Sequence, residues 1–249
     1  MALIRFRNVS KAFSRSGGSK LLRTYLGLAF QRSRREAFYA VKDVSFEVDH
    51  GESVALIGAN GAGKSTVLSL VAGLTHPDEG AVEVNGRVAA LLELGVGFHP
   101  ELTGSENIRL NAALMGLSRQ RTRDLFDTIV AFADIGDFID EPIRAYSAGM
   151  VLWLAFSVAI HCEPDILLVD EVLVVGDQAF QAKCMKKIRE FRRSGKTLLL
   201  VSHSAEMVRL LCDTAIWIDH GHLMQTGRAG EVLEAYTRAA AASSPPNSA

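Results

Sequence analysis

Apolar residues fall into three patterns along the chain. Residues 3–13 and 43–48 alternate or cluster β-favouring side chains, the spacing of strands with one buried face. Val54–Ile57 is a short continuous apolar run that stops at glycine, as strands buried on both faces do. Similar runs at Ile166–Val169 and Leu198–Val201 each follow a segment of helical length, Met150–His161 and Gln181–Arg192. That alternation predicts an α/β fold, a parallel sheet covered by helices, with β-strands ahead of it.

From about residue 94 to residue 160 the pattern becomes helical, with segments Gly104–Met115 and Arg119–Ala133 and Ser118 as an N-cap. A helical subdomain inserted into the α/β core is expected there. The final residues, from 237 and above all from Ala239, are rich in Ala, Ser and Pro, and a disordered tail over 237–249 is expected. One domain over 1–236 accounts for the rest.

Composition narrows the picture. With 27 basic against 28 acidic residues the chain has no charge excess for gripping a phosphate backbone, so nucleic acid is not an expected partner. The cysteines, Cys162, Cys184 and Cys212, are scattered and odd in number, which suggests neither a disulfide framework nor a zinc site. The start of the chain alternates apolar and charged residues, unlike a secretory signal. Its longest apolar segment, Met150 to Ile160, is about half of the ~20 residues that cross a bilayer as a helix.

Chemistry enters at Gly58-Ala59-Asn60-Gly61-Ala62-Gly63-Lys64-Ser65, a full match to the phosphate-binding loop, set between a predicted strand and a predicted helix, with Thr66 after it as a further nucleotide-binding candidate. Glycines let the backbone wrap a polyphosphate with its N–H groups pointing inward, and the helix N-terminus adds partial positive charge. Lys64 is expected to neutralise the β- and γ-phosphates, and Ser65 to ligate Mg²⁺. The strand Ile166–Val169 ends in Asp170 and Glu171, a carboxylate pair that is costly unless it meets a cation or a water. Asp170 is the expected metal ligand and Glu171 the group that polarises the attacking water. Taken alone, such a pair is more often the solvated start of a loop; the phosphate-binding loop reverses that reading.

A kinase or a GTPase would share these features, so a third motif decides. Tyr146-Ser147-Ala148-Gly149-Met150, heading a helix about twenty residues before Asp170, resembles the signature sequence of the ABC ATPases. Asp177 resembles that family's D-loop aspartate, His203 its switch histidine, and Tyr39 the aromatic on which adenine stacks, with Phe38 the competing candidate. The resemblance implies a P-loop NTPase (RecA-like) core with N-terminal antiparallel strands. It also implies that the cofactors are ATP and Mg²⁺, and that two copies form a head-to-tail homodimer in which Ser147 and Gly149 of one face the P-loop of the other.

Longer stretches are similar to exporters of capsule, O-antigen or teichoic-acid polymers: Ala89–Ile108 and Leu173–Phe180. An insertion over about 14–35 places Leu21-Leu22-Arg23-Thr24-Tyr25-Leu26 beside Arg32, Arg34 and Arg35, which suits peripheral contact with lipid headgroups; a solvated loop is the alternative. The resemblance implies an integral membrane permease as partner and a location on the cytoplasmic face of the inner (cell) membrane. An importer or drug-exporter subunit, and a soluble ABC regulator, are the competing classes. Some such exporters carry a sugar-recognising β-domain after this point, and the expectation here is of an exporter without one. Two departures stand out. No glutamine occurs over 93–98, where the family places one, leaving Glu93 or His99 as substitutes, and Trp153 stands where a basic residue is common.

Overall fold

The structure is a computed structural model that describes residues 2–14, 37–91, 97–170 and 178–243. The 14–35 insertion lies outside the described residues but for Ser14, as do Glu93, Glu171 and Asp177. In chain order the elements are β1 (Ala2–Ser14), β2 (Ala37–Asp49), β3 (Ser53–Ile57), α1 (Lys64–Val71), β4 (Glu79–Val84) and β5 (Val88–Leu91). Then come α2 (Gly104–Leu114), α3 (Arg119–Ala133), α4 (Ala148–His161), β6 (Ile166–Val169) and α5 (Gln178–Arg193). The chain continues with β7 (Thr197–Val201), α6 (Ala205–Leu211), β8 (Thr214–Asp219), β9 (His222–Arg228) and α7 (Ala229–Ser243).

Two sheets form among the described residues. β2, β1 and β4 make an antiparallel sheet with β1 in the middle. The larger sheet runs β5-β6-β7-β3-β8-β9, parallel except for its last strand. Every residue of β3, β6 and β7 is buried, which is why Val54–Ile57, Ile166–Val169 and Leu198–Val201 read as unbroken apolar runs rather than alternating ones. One face of this sheet packs with the antiparallel sheet and α1, through Phe6, Phe46, Val67 and Leu68. The other face packs against α4, α5, α6 and α7, through Phe156, Ile188, Leu211 and Val232.

The helical lobe of α2, α3 and the start of α4 has its own core around Ile108, Ile129, Leu154 and Val158. Thr103 opens α2 with a reciprocal capping box to Glu106, and Ser118 caps α3 by accepting the Arg121 N–H. α4 belongs to both cores: Leu154 and Val158 face the lobe, while Phe156, Ala159 and Ile160 face the sheet. That double duty explains its apolar character all round.

The C-terminal expectation needs correction. α7 continues through Ser243, so residues 237–243 are helical rather than a disordered tail. Val232 and Leu233 anchor the helix in the sheet-side core, and the Ala239–Ala242 run then prolongs it, because alanine extends a nucleated helix without needing to pack. Residues 244–249 lie outside the described residues.

Candidate active site

The loop after β3 owes its shape to three glycines with left-handed or wider backbone: Gly58 (φ 151°), Gly61 (φ 78°) and Gly63 (φ 110°). Two are also sterically obligatory. A Cβ on Gly58 would sit 2.1 Å from the Ile218 carbonyl oxygen, and one on Gly63 2.2 Å from that of Ala40, so the loop threads between β8 and β2. The Ala62 N–H closes a turn onto the Ala59 carbonyl at 3.1 Å, and the Ala62 carbonyl accepts from Gly221 N–H at 2.9 Å.

α1 starts at Lys64 with Gly63 as its N-cap and no side-chain capping bond. The N–H groups of its first turn lack intrahelical acceptors by helix geometry, the arrangement that favours an anion. No acidic residue occupies that turn to compete. Lys64 is only 6% exposed. Its Nζ donates to the Gly58 and Ala59 carbonyls, both at 2.9 Å, so the ammonium is folded back over its own loop.

β3 and β6 both pair with β7 in parallel, which brings their C-terminal ends to one edge of the sheet. A cleft of about 460 Å³ opens there. Asn60, Gly61, Gly63, Lys64, Ser65 and Thr66 form one wall, and Asp170 and His203 the other. Three stretches far apart in sequence thus meet at one place. Ser65 and Asp170 offer a hydroxyl and a carboxylate, a donor pair suited to Mg²⁺ that also takes phosphate oxygens. Among the described residues no cluster of three His, Cys, Asp or Glu exists that could hold a metal by itself.

Of the two aromatic candidates, Tyr39 and Phe38, the structure sets the second beside the cleft. Phe38 lines the cleft, together with Phe13 and Ala40, and Tyr39 does not. Successive strand residues point to opposite faces, so the side that carries Phe38 and Ala40 excludes Tyr39, whose ring lies 5.5 Å from the Lys42 ammonium instead. Phe13 is directly opposite Phe38 in the β1–β2 register, a cross-strand pair that no local sequence signal announces.

The Ser147 turn lies apart from the cleft, and neither Ser147 nor Gly149 lines it. Ser147 is exposed and caps α4 by accepting the Met150 N–H at 3.2 Å. Tyr146 fixes the approach by donating its hydroxyl to the Phe138 carbonyl at 2.5 Å. Burial, reinforced by the nearby Asp140 carboxylate, pushes the Tyr146 phenol up to about 12. His99, a candidate for the missing glutamine, accepts the Glu101 N–H on its ring at 3.3 Å and does not line the cleft.

Residues 41–174 match the ABC transporter family. An O-antigen export system ATP-binding protein, RfbB of Klebsiella pneumoniae, is 50% identical over 243 residues, covering 96% of this chain and 99% of that one. A teichoic acids export ATP-binding protein, TagH of Listeria innocua, is 44% identical over 236 residues, 94% of this chain and 69% of the relative. Among solved structures, an ATP binding subunit of an ABC transporter superposes with a TM-score of 0.75 at 24% identity, covering 94% of this chain and 93% of that one. A dimeric ATP-binding cassette in a post-hydrolysis state with ADP and Pi gives a TM-score of 0.72 at 21% identity, with coverages of 91% and 98%.

Proposed function

Since the chain belongs to the ABC transporter family of ATP-binding subunits, we propose that it powers export of a lipid-linked surface polysaccharide through a separate integral membrane permease. As a member of that family it binds and hydrolyses ATP. The cargo assignment draws on the O-antigen and teichoic-acid export relatives, which match nearly the whole chain. In this reading the subunit sits peripherally on the cytoplasmic face of the inner (cell) membrane. No described helix is long and apolar enough to cross a membrane.

In the proposed mechanism the glycine loop and the first turn of α1 receive the phosphates, and Lys64 swings from the Gly58 and Ala59 carbonyls onto the β- and γ-phosphate oxygens. Ser65 and Asp170 would hold Mg²⁺. When bound, that ion supplies neutralisation of the charge building on the phosphate oxygens. Glu171 orients and polarises the attacking water, and His203, across the cleft from Lys64, contacts the γ-phosphate. Phe38 takes the stacking role first given to Tyr39, with Phe13 beside it.

One observation carries the two-subunit part of the reading. The Ser147 turn is built as a helix N-terminus suited to a phosphate, yet it does not line the cleft of its own chain. A second copy presenting Ser147 and Gly149, with Asp177 along the same interface, would complete each site. Two nucleotides would then lie between two chains, binding closing the pair and hydrolysis reopening it.

The test is turnover per chain measured against protein concentration. A rise toward a plateau is expected, and concentration-independent turnover by a monomer would overturn the shared site. For the cargo, cells lacking the gene should accumulate undelivered lipid-linked polymer on the cytoplasmic side; normal surface polymer in those cells would overturn that assignment.

A further inference from the structure

Helix α3 of the lobe is tied to the core at both of its ends. Arg121 in its first turn pairs with Glu163, just ahead of β6, and Asp134 at its far end takes the Lys183 ammonium of α5 at 3.0 Å. Between these ties a cavity of about 650 Å³ opens, larger than the nucleotide cleft and sharing no lining residue with it. Asp127, Thr128 and Phe132 line it from α3, and Lys186 and Lys187 from α5. Its size falls within the ~300–1,000 Å³ of small-molecule sites, which favour junctions between structural units.

The floor of this cavity is held firmly. Phe132 stacks on Phe156, with ring centroids 5.9 Å apart, and meets Phe180 edge-on at 6.1 Å. Beside it His161 is 8% exposed, and its Nδ1 lies 2.8 Å from the Ser157 carbonyl oxygen. A carbonyl only accepts, so Nδ1 carries a proton and Nε2 is the polar atom that this ring has left for the cavity. The rim holds a cation that the fold does not use. Lys183 and Lys187 are paired, with Asp134 and Glu190, whereas Lys186 is exposed and makes no ion pair among the described residues. Asp127, the remaining acid, also lines a neighbouring hollow with Arg109, Arg119 and Arg123.

We propose that this cavity is a second ligand site, for a small organic acid: an apolar ring or chain lies against Phe132, and the anionic group faces Lys186, Lys187 and a protonated Nε2 of His161. Such a ligand bridges the lobe and the core. In the empty cavity, burial holds the His161 imidazole below its ordinary value, with Lys187 acting the same way and Glu190 against it; Lys183 and Asp127 are the other charges at the rim. A bound anion favours the imidazolium, so binding takes up a proton and strengthens as pH falls.

Calorimetric titration with naphthoate, a rigid apolar acid that stays ionised between pH 6.0 and 8.0, tests the site with Mg-ADP saturating the nucleotide cleft. Saturable binding is expected, with acetate, which lacks the body, and naphthol, which lacks the charge, each at least about tenfold weaker. Affinity of the wild-type chain should rise roughly three- to tenfold from pH 8.0 to 6.0, within the limit set by one proton. Replacing Lys186 and Lys187 together by Ala should weaken binding roughly tenfold, the loss of charge-assisted bonds. His161→Phe should keep binding at pH 8.0 and lose the gain at pH 6.0. Equal binding of acetate or naphthol overturns the proposal, as does displacement of naphthoate by Mg-ADP, an unchanged affinity in the lysine variant, or a wild-type affinity that does not rise at low pH. Should the His161→Phe chain not fold, the lysine variant and the wild-type pH profile decide by the same criteria.

Discussion

The cleft at the sheet edge and the turn at Ser147 are both proposed to meet phosphate, yet they are held in opposite ways. The cleft is backed by three strands buried along their whole length, and its loop is wedged between β8 and β2 so tightly that two glycines admit no side chain. Its lysine is buried and already satisfied by two carbonyls. The Ser147 turn is exposed and is closed by a single capping bond. A Cβ on its Gly149 would meet nothing closer than 3.7 Å. The first region is preorganised inside one chain, whereas the second is presented outward. In the proposed two-subunit reading, a site divided in this way would couple chemistry to association, because neither half would suffice.

The sharpest way to split binding from chemistry lies at Glu171. Its replacement by glutamine removes the proposed water-polarising carboxylate without touching the cradle, so turnover should fall by roughly 10²- to 10⁴-fold while ATP stays bound and the pair stays closed. Single-turnover hydrolysis and equilibrium nucleotide binding on the same preparation check this. Lost affinity with the same loss of turnover would remove Glu171 from the role of base.

Removing one member of each region should then give mirror-image defects. Ser147→Ala deletes a helix cap, worth about 1 kcal/mol of stability, and should also cut turnover by about 10²-fold as a lost transition-state donor. ATP affinity of the single chain should not change, because Ser147 does not line that chain's cleft. Lys64→Ala should do the reverse and weaken ATP binding itself by roughly 10- to 100-fold, the loss of charge-assisted bonds to phosphate. Equal affinity losses in both variants would erase the division of labour.

A smaller effect distinguishes neighbours on β2. Phe38→Ala should weaken ATP binding several-fold, in keeping with the ~0.5–1.5 kcal/mol typical of aromatic contacts, whereas Tyr39→Ala should leave it nearly unchanged. Titration of both variants with a fluorescent ATP analogue decides the matter. A larger loss at Tyr39 would reinstate the residue that sequence alone favoured.

That pair shows where sequence stops being legible. The phosphate loop could be read in full because its chemistry is contiguous: eight consecutive residues carry the spacing, and the flanking strand and helix follow from their own patterns. The facing of an aromatic on a strand depends on phase, and a shift of one residue reverses it. The β1–β2 pairing contains register shifts, one of them between Lys11 and Ala12, just before the point where Phe13 meets Phe38. Nothing within either strand encodes that meeting. The tail failed for another reason. Its composition reads as disordered when taken alone, but Val232 and Leu233 nucleate α7 through tertiary burial, and the alanines follow.

The least of the expected effects concerns stability and returns to the contact between lobe and core. His161, near the end of α4, is buried; its Nδ1 bonds the Ser157 carbonyl at 2.8 Å and its ring meets Phe132 edge-on at 5.1 Å. Burial holds its imidazole below the ordinary histidine value, opposed by the Ser157 bond and assisted by the Lys187 charge, with Glu190 acting the other way. Lys183, Lys186 and Asp127 line the same groove. The unfolded chain therefore takes up this proton at higher pH than the folded one. The resulting stability is complete above the ordinary value of about 6.5 and is lost as pH falls from there toward the depressed folded value, with a slope of at most ~1.4 kcal/mol per pH unit. Asp78, Glu106 and Asp165 are held below the ordinary carboxylate range, so their contributions fade at lower pH than this window. Denaturant melts at pH 7.0 and 5.5 should show a modest decline in the wild-type chain and a flatter profile in His161→Phe, which keeps a ring against Phe132 without a titrating nitrogen. Parallel profiles for the two chains would mean that His161 is protonated equally in the folded and unfolded states, and that the junction between lobe and sheet carries no pH dependence of its own.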